Sequence, residues 1–238
     1  MQYVYIFNKQ NVYNKIGFFW FLALPILFFF IRFNAFKNNN MDIEMLNFIH
    51  IYWGFMLLTT VLSGVLLAII QYRDSGFLKS FTFLSGNKHV IIFGKLLSQL
   101  LYIVVLTTVF NLIISVVYKI DFSQLFLKGL LTMLLAFIPI CFSMLWMVII
   151  PVNANNIAPI GTILLILFLY LANFGIETHS YFLYFMYSLN PVVYLSNILN
   201  MLNDFSFEIV IINALTTLIY LIIGFFSLKN MSIIPRKN

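Results

Sequence analysis

Residues 45–70 read MLNFIHIYWGFMLLTTVLSGVLLAII, an apolar run that contains no Asp, Glu, Lys or Arg. A helix of roughly 20 predominantly apolar residues is long enough to cross the hydrocarbon core of a bilayer. Transmembrane β-strands instead form segments of about ten residues in which apolar and polar positions alternate. The run is continuous, so it predicts a membrane-spanning helix.

The rest of the chain has the same character. Of its 238 residues, 63% are hydrophobic and 8% are charged, too few polar residues to cover a soluble globule. We therefore predict an all-α integral membrane protein that forms one membrane domain over residues 1–238. The candidate spans are residues 16–33, 45–70, 96–118, 126–150, 157–175 and 208–228.

The amino-terminal segment is predicted to remain attached. The apolar run after Lys15 is longer than the core of a signal peptide and lacks a small-residue cleavage site, so it is expected to stay as an anchor. Residues 1–15 mix aromatic residues with two lysines. They are expected either to lie at the membrane surface as a short amphipathic helix or to form a frayed tail.

The distribution of Lys and Arg predicts the orientation. If the amino terminus is cytoplasmic, nine of these residues lie inside and four outside. Loops on the cytoplasmic side carry the excess of Lys and Arg, so we expect a multi-pass protein of the cytoplasmic membrane with both termini in the cytoplasm. The inner residues are Lys9, Lys15, Arg73, Lys79, Lys88, Lys95, Lys229, Arg236 and Lys237, and the outer ones are Arg32, Lys37, Lys119 and Lys128.

Few residues in the predicted spans could perform chemistry. No span core carries Asp or Glu, and Cys141 is the single cysteine, so we expect neither a catalytic nor a metal site and no cofactor in this chain. The simplest role for the polar residues in the spans is hydrogen bonding between helices. Contact with a transported substrate is the alternative for Asn47, His50, Asn173 and Asn213.

Residues 176–207 contain two apolar pieces that are each too short to span, YFLYFMYSL and VVYLSNILNML. Asn190 and Pro191 separate them, and an Asn–Pro pair favours the start of a new helix. The pieces are expected to form either a re-entrant pair of helices or two helices that lie flat at the outer surface.

Residues 73–97 read RDSGFLKSFTFLSGNKHVIIFGKLL and interrupt the apolar pattern between the second and third spans. Phe77, Phe81 and Leu84 recur at helical spacing, which predicts a short amphipathic helix. Gly86 suits a left-handed end to that helix, and Asn87 suits the cap of the next one. The simplest role of such a helix is to lie on the lipid surface.

The same stretch resembles the cytoplasmic segment of ABC-2 type transporter permeases, which commonly reads R-E-S-G-T-L-K, then a turn and I-x-x-G-K-L-L. Phe77 replaces the usual threonine and Ser85–Gly86 replaces the usual proline turn. A second motif, LNPVVYL at residues 189–195, resembles the family's L-N-P-[LV]-x-Y-L. Matches to the first motif are Arg73, Asp74, Ser75, Gly76, Leu78, Lys79, Lys88, Ile91, Gly94, Lys95, Leu96 and Leu97.

The resemblance implies an exporter subunit with a coupling helix that docks on a separate cytosolic ATPase. Two permease copies, or a copy and a paralogue, would enclose the path, and two ATPase copies would bind ATP and Mg²⁺. The short outer helices would be re-entrant and would include Asn190, Pro191 and Tyr194. The coupling residues would be Arg73, Asp74, Gly76, Phe77, Leu78, Lys79, Phe81 and Lys88.

The expected cargo is an amphipathic peptide or another hydrophobic molecule, because small permeases of this family resemble peptide exporters and immunity proteins. Lipid surrounds the chain and no nucleic-acid partner is expected. Two other classes are the alternatives: an intramembrane enzyme, which would need a nucleophile and a base within the spans, and a non-enzymatic scaffold or immunity protein.

Thiol labelling tests the predicted orientation. In a Cys141→Ala background, Asn39→Cys and Thr178→Cys are expected to react with an impermeant thiol reagent on intact cells, because both positions fall in predicted outer loops. Asn87→Cys and Asn238→Cys are expected to react only after the cells are opened. Labelling of Asn87→Cys on intact cells would contradict the predicted orientation.

Overall fold

The computed structural model describes residues 2–35, 41–172 and 181–235, with side chains for all of these except 2, 3, 12, 34, 35, 41–47 and 85. These residues form helices and connecting turns and contain no strand. The first five helices are α1 (Gln2–Tyr13), α2 (Lys15–Ala35), α3 (Met41–Thr59), α4 (Ala68–Asp74) and α5 (Phe77–Ser85). The others are α6 (His89–Tyr118), α7 (Phe122–Met144), α8 (Ala154–Ala172), α9 (Tyr181–Ser188), α10 (Pro191–Asn203) and α11 (Phe207–Asn230).

Six helical segments are long and apolar enough to cross a membrane, which confirms a multi-pass membrane protein. The third begins at His89, seven residues before the predicted start at residue 96, because Lys95 is accommodated inside α6 instead of ending the helix. The end predicted for the fifth span, residue 175, lies outside the described residues. The segments are Lys15–Phe33, Phe48–Asp74, His89–Tyr118, Phe122–Val148, Ala154–Ala172 and Phe207–Asn230.

The second and fourth segments form the centre of the bundle and are the most buried. A polar cluster joins them to the third segment: the indole Nε1 of Trp53 donates to Oδ1 of Asn111 at 2.9 Å, and Asn111 Nδ2 donates to the Leu125 carbonyl at 3.1 Å. Gly129 lies against this cluster, where a Cβ would stand 2.7 Å from Asn111 Nδ2. Asn111 thus has the packing role expected for polar residues between spans.

The second segment is not a uniform α-helix, because residues Thr60–Leu67 form a π-helix between α3 and α4. Such wide turns are rare and concentrate at functional sites. Gly64 lies in the π-helix against the side chain of Gln99, whose Oε1 would be 2.6 Å from a Cβ at residue 64. The π-helix therefore packs closely on α6 through a position without a side chain.

The helix boundaries near the short segments agree with the sequence pattern. Gly86 ends α5 in the left-handed conformation at φ 73°, as predicted. Asn87 Oδ1 accepts from the His89 amide at 2.8 Å, which caps the start of α6. Asn190 Oδ1 accepts from the Val192 amide at 2.9 Å, and Pro191 occupies the first turn of α10.

The packing of α7 on α11 predicts a strict size limit at Gly224. A Cβ at this position would overlap the ring of Phe142, so Gly224→Ala is expected to cost about 1–3 kcal/mol of stability through overpacking. Thermal unfolding of the purified protein in detergent measures the effect.

Gly161→Ala is the matched control, because the nearest atom to its Cβ would be Leu62 Cδ2 at 3.9 Å. It is expected to leave the unfolding temperature unchanged or slightly raised, because Ala favours the helix over Gly. Adding Phe142→Leu to Gly224→Ala should recover part of the loss. Equal unfolding temperatures for the two glycine variants would contradict the close contact between α7 and α11.

Candidate functional site

The short helix α5 is bounded by two glycines in the left-handed conformation. Gly76 precedes it at φ 77° and Gly86 follows it at φ 73°. Residues with a Cβ rarely adopt these angles, so the glycines allow the chain to turn sharply at both ends of a nine-residue helix. The helix is therefore a separate unit at the end of the second span.

The apolar face of α5 packs onto the rest of the chain. Leu78 is completely buried, and Phe81 is half-buried against the core. The Phe77 ring lies 5.4 Å from Tyr72 and 6.2 Å from Phe81, measured between ring centroids. The predicted helical spacing of these residues is correct, but their face turns mainly toward this chain.

The most exposed apolar side chains of α5 lie near its carboxyl end. Phe83 is 78% exposed and Leu84 is 88% exposed, whereas Phe77 is 46% exposed. The sequence interpretation overlooked Phe83 because it is outside the spacing of Phe77, Phe81 and Leu84. These two residues are available to a partner without disturbing the packing of Leu78.

Arg73 is the central side chain at the base of α5 and is completely buried. Its Nη1 donates to the Val148 carbonyl at 3.0 Å, and its Nη2 donates to the Val152 carbonyl at 2.8 Å. Val148 ends the fourth span and Val152 lies in the turn before the fifth. Arg73 therefore holds the connection between these spans against the end of the second span.

Asp74 completes this connection with both of its carboxylate oxygens. Oδ1 accepts from Arg73 Nε at 2.9 Å, and Oδ2 accepts from the backbone amide of Ala154 at 3.0 Å. Ala154 is the first residue of α8, so Asp74 caps that helix from another part of the chain and lies at its positive end. We call Arg73 and Asp74 together the Arg–Asp clamp.

Further contacts attach the α5 region to both ends of the described chain. Lys88 Nζ donates to the Met231 carbonyl at 3.0 Å, beyond the last span, and partial burial lowers the pKa of Lys88. Tyr72 OH donates to Gln10 Oε1 of α1 at 3.4 Å. Gly76 faces Pro235, whose Cγ would be 3.5 Å from a Cβ there. Lys79, in contrast, is exposed.

An apolar groove runs along the spans between α2, the second segment and α8. It consists of two neighbouring cavities of about 420 and 370 Å³ that share Phe55, Leu165 and Ile166. The hydroxyls of Thr59, Ser63 and Thr162 line the larger cavity, Tyr52 and Tyr170 line the smaller one, and no charged residue lines either cavity. The sequence interpretation did not single out these hydroxyls, because each is common in ordinary spans.

Each of the three hydroxyls donates to a carbonyl one turn earlier in its own helix. Thr59 donates to Phe55, Ser63 to Thr59 and Thr162 to Ala158. A hydroxyl oxygen that donates in this way still has lone pairs that can accept a hydrogen bond. The groove can thus hold an uncharged apolar molecule and accept hydrogen bonds from its N–H or O–H groups.

The residues of the second motif lie in a different part of the bundle. Asn190 Nδ2 donates to the Phe168 carbonyl of α8 at 2.9 Å, and Tyr194 OH lies 2.7 Å from the Thr217 hydroxyl of α11. Pro191 is buried at the start of α10. The α10 helix is largely buried and packs against α3, α7, α8 and α11.

The four polar residues considered for a substrate path are not brought together at the groove. His50 is half-buried on α3, and Asn213 is buried on α11, but neither is among the lining residues of the two cavities. The side chain of Asn47 and all of Asn173 lie outside the described residues. Neither amide atom of Asn213 has a hydrogen-bond partner in the described part of the chain.

Possible metal ligands and similarity to known proteins both bear on the identity of the site. Within the described ranges, no cluster of three or more His, Cys, Asp or Glu side chains could hold a metal ion. Comparisons of the chain with models of known families, with characterised proteins and with solved structures find no significant match. The family resemblance therefore depends on the two sequence motifs.

The Arg–Asp clamp predicts that substitution of Arg73 lowers stability much more than substitution of the nearby cation Lys79. Arg73→Gln is expected to lower stability by about 3–5 kcal/mol, because the change leaves the partly buried carboxylate of Asp74 without its charge partner and frees two buried carbonyls. Thermal unfolding in detergent measures the loss. Lys79→Gln, an exposed change six residues away, is the control and should have almost no effect. Equal losses would show that the clamp does not hold the spans.

Proposed function

We propose that this chain is the membrane subunit of an ATP-driven exporter, of the ABC-2 type, for an apolar or amphipathic substrate. The observation that carries the proposal is the α5 region. It exposes Phe83 and Leu84, and the Arg–Asp clamp at its base joins it to the fourth and fifth spans. A cytosolic motor that binds α5 would thereby act directly on the spans.

The route of this coupling follows the contacts of the clamp. Asp74 binds the first amide of α8, and residues of α8 such as Ile157, Gly161 and Leu165 line the groove. A displacement of α5 would move the inner end of α8 and change the width of the groove. Coupling between distant sites needs such a contiguous and stiff connection. In this proposal Arg73 and Leu78 act as buried positioning residues, while Phe77, Phe83 and Leu84 contact the motor.

The groove is the proposed path for the cargo. Its apolar walls and uncharged hydroxyls favour a hydrophobic or amphipathic molecule, and a peptide would offer N–H groups to the three hydroxyl oxygens. The groove opens at the surface between α2 and α8, which belong to the least buried spans. A second permease copy facing this surface would close it. The motor subunits would bind ATP and Mg²⁺.

The outer ends of the spans would be closed by α9 and α10 as a re-entrant pair. The burial of α10 among four spanning segments supports this arrangement, because a helix lying flat on the membrane would leave one face exposed. The bonds of Asn190 and Tyr194 to α8 and α11 would hold the pair in place.

Substitution of the exposed tip of α5 tests the function. Phe83→Ala with Leu84→Ala is expected to reduce co-purification of the proposed ABC ATPase partner, co-expressed with this chain, at least about tenfold, because exposed apolar anchors carry much of the energy of an interface. Unfolding temperature and membrane amount should not change, since both side chains are almost fully exposed. Export is expected to fall together with binding.

Leu112→Ala with Val116→Ala is the matched control, because these α6 side chains are also exposed but lie toward the opposite end of a span. Phe77→Ala with Phe81→Ala should lower both binding and stability, since these rings also pack within the chain. The chain purified alone should hydrolyse no ATP. Normal ATPase binding and export by the Phe83/Leu84 variant would reject the coupling role and favour a scaffold or immunity protein.

A further inference from the structure

Another cavity, separate from the groove, lies where the chain bends between α1 and α2. The bend occurs at Asn14, whose Oδ1 accepts from the Gly17 amide at 3.0 Å and so caps α2. The cavity has a volume of about 400 Å³ and is bounded by α1, α2 and α6. We call it the bend cavity. Its lining residues are Asn8, Asn11, Lys15, Phe18, Leu101, Tyr102 and Val105.

The depth of the bend cavity follows from the side-by-side packing of α1 and α2 on α6. Asn11 bonds to Gln99, the Phe18 ring packs on Tyr102, and the Phe33 ring packs on Tyr118 at the far end of α6. A hydrocarbon core takes about 20 helical residues. Counted back from Tyr118, its edge would fall near Gln99, so the first turns of α6 and the part of α1 that packs on them would lie outside the hydrocarbon. The cavity therefore crosses the boundary between headgroups and acyl chains.

The chemistry of the cavity changes across this boundary. Asn8, Asn11 and Lys15 form the polar part of the lining, which would lie at the headgroup level, and Phe18, Leu101 and Val105 form the apolar part, which would extend into the hydrocarbon. Lys15 is exposed, and no carboxylate pairs with it among the described residues. Asn8 Oδ1 accepts from Ser98 at 2.7 Å, which leaves the Asn8 amide N–H groups as possible donors.

We propose that the bend cavity binds one anionic phospholipid. Its phosphate would contact the Lys15 ammonium and the Asn8 amide, and an acyl chain would lie along Phe18, Leu101 and Val105. A cation and amide donors match a phosphate oxygen, while Leu101 and Val105 of the apolar wall are each about half exposed and can contact an acyl chain. Neither free phosphate nor an uncharged acyl chain would match both halves.

The bound lipid would also hold α1 in place. Asn11 lines the cavity, donates to Ser98 and accepts from Gln99 Nε2 at 2.9 Å. The Gln99 side chain in turn packs on Gly64 of the π-helix, whose neighbour Ser63 lines the groove. Lipid in the bend cavity would therefore stabilise the packing of α1 on α6 beside the second span. This binding site does not depend on the exporter function.

Lipid titration of the full-length purified protein tests the proposal. Phosphatidylglycerol, added to protein in a neutral detergent, is expected to raise the unfolding temperature and to appear as one retained lipid in native mass spectra. Phosphatidylcholine should be retained at least about fivefold less, because one lysine near an anionic surface contributes roughly that factor. Sodium phosphate should not raise the unfolding temperature. Equal stabilisation by both lipids, or by phosphate alone, would overturn the proposal.

Two pairs of variants separate this site from general lipid attraction. Lys15→Gln should weaken phosphatidylglycerol retention about fivefold, whereas Lys9→Gln, an exposed lysine of α1 outside the cavity, should not. Val105→Trp should fill the cavity and remove retention of the lipid. Leu112→Trp, on the exposed surface of the same helix, should retain it. Equal losses within either pair would show that the bend cavity is not the site.

Discussion

The buried guanidinium of Arg73 joins the end of the second span to the connection between the fourth and fifth spans. Burying a cation requires compensating charge and hydrogen bonds, which here come from Asp74 and two backbone carbonyls. Those carbonyls belong to a turn where regular helical bonding has ended, so each gains a donor that the helix cannot supply. The position of α8, and with it one wall of the groove, depends on this arrangement.

Within the spans, polar side chains connect helices at close crossings. Trp53, Asn111 and Gly129 join three spans at one point, because a small residue lets the backbones approach and an amide can bond in two directions. Gln99 combines both functions, since it bonds Asn11 and packs on Gly64. The larger cavity of the groove, in contrast, is lined by three hydroxyls that bond within their own helices. The groove surface is therefore suited to contacts with uncharged molecules.

The α5 region shows how far local pattern reaches. The start and end of this helix could be predicted because glycines and an asparagine act on neighbouring backbone groups. The exposed face of α5 could not be predicted, because an apolar stripe indicates that another surface covers it but does not identify that surface. Leu78 and Phe81 pack on the chain itself, and Phe83 and Leu84 remain exposed. The sequence therefore predicted the helix correctly and selected only part of its accessible surface.

The sequence alone determined the membrane class, the six spans and the breaks between them, because apolar run length and turn residues act locally. The tertiary structure decided which polar residues meet. Arg73 reaches carbonyls 75 and 79 residues away, and Asp74 caps a helix 80 residues away. The π-helix and the packing of α1 along α6 also arise from contacts between distant segments. No local pattern specifies such pairings, because they depend on how whole helices pack.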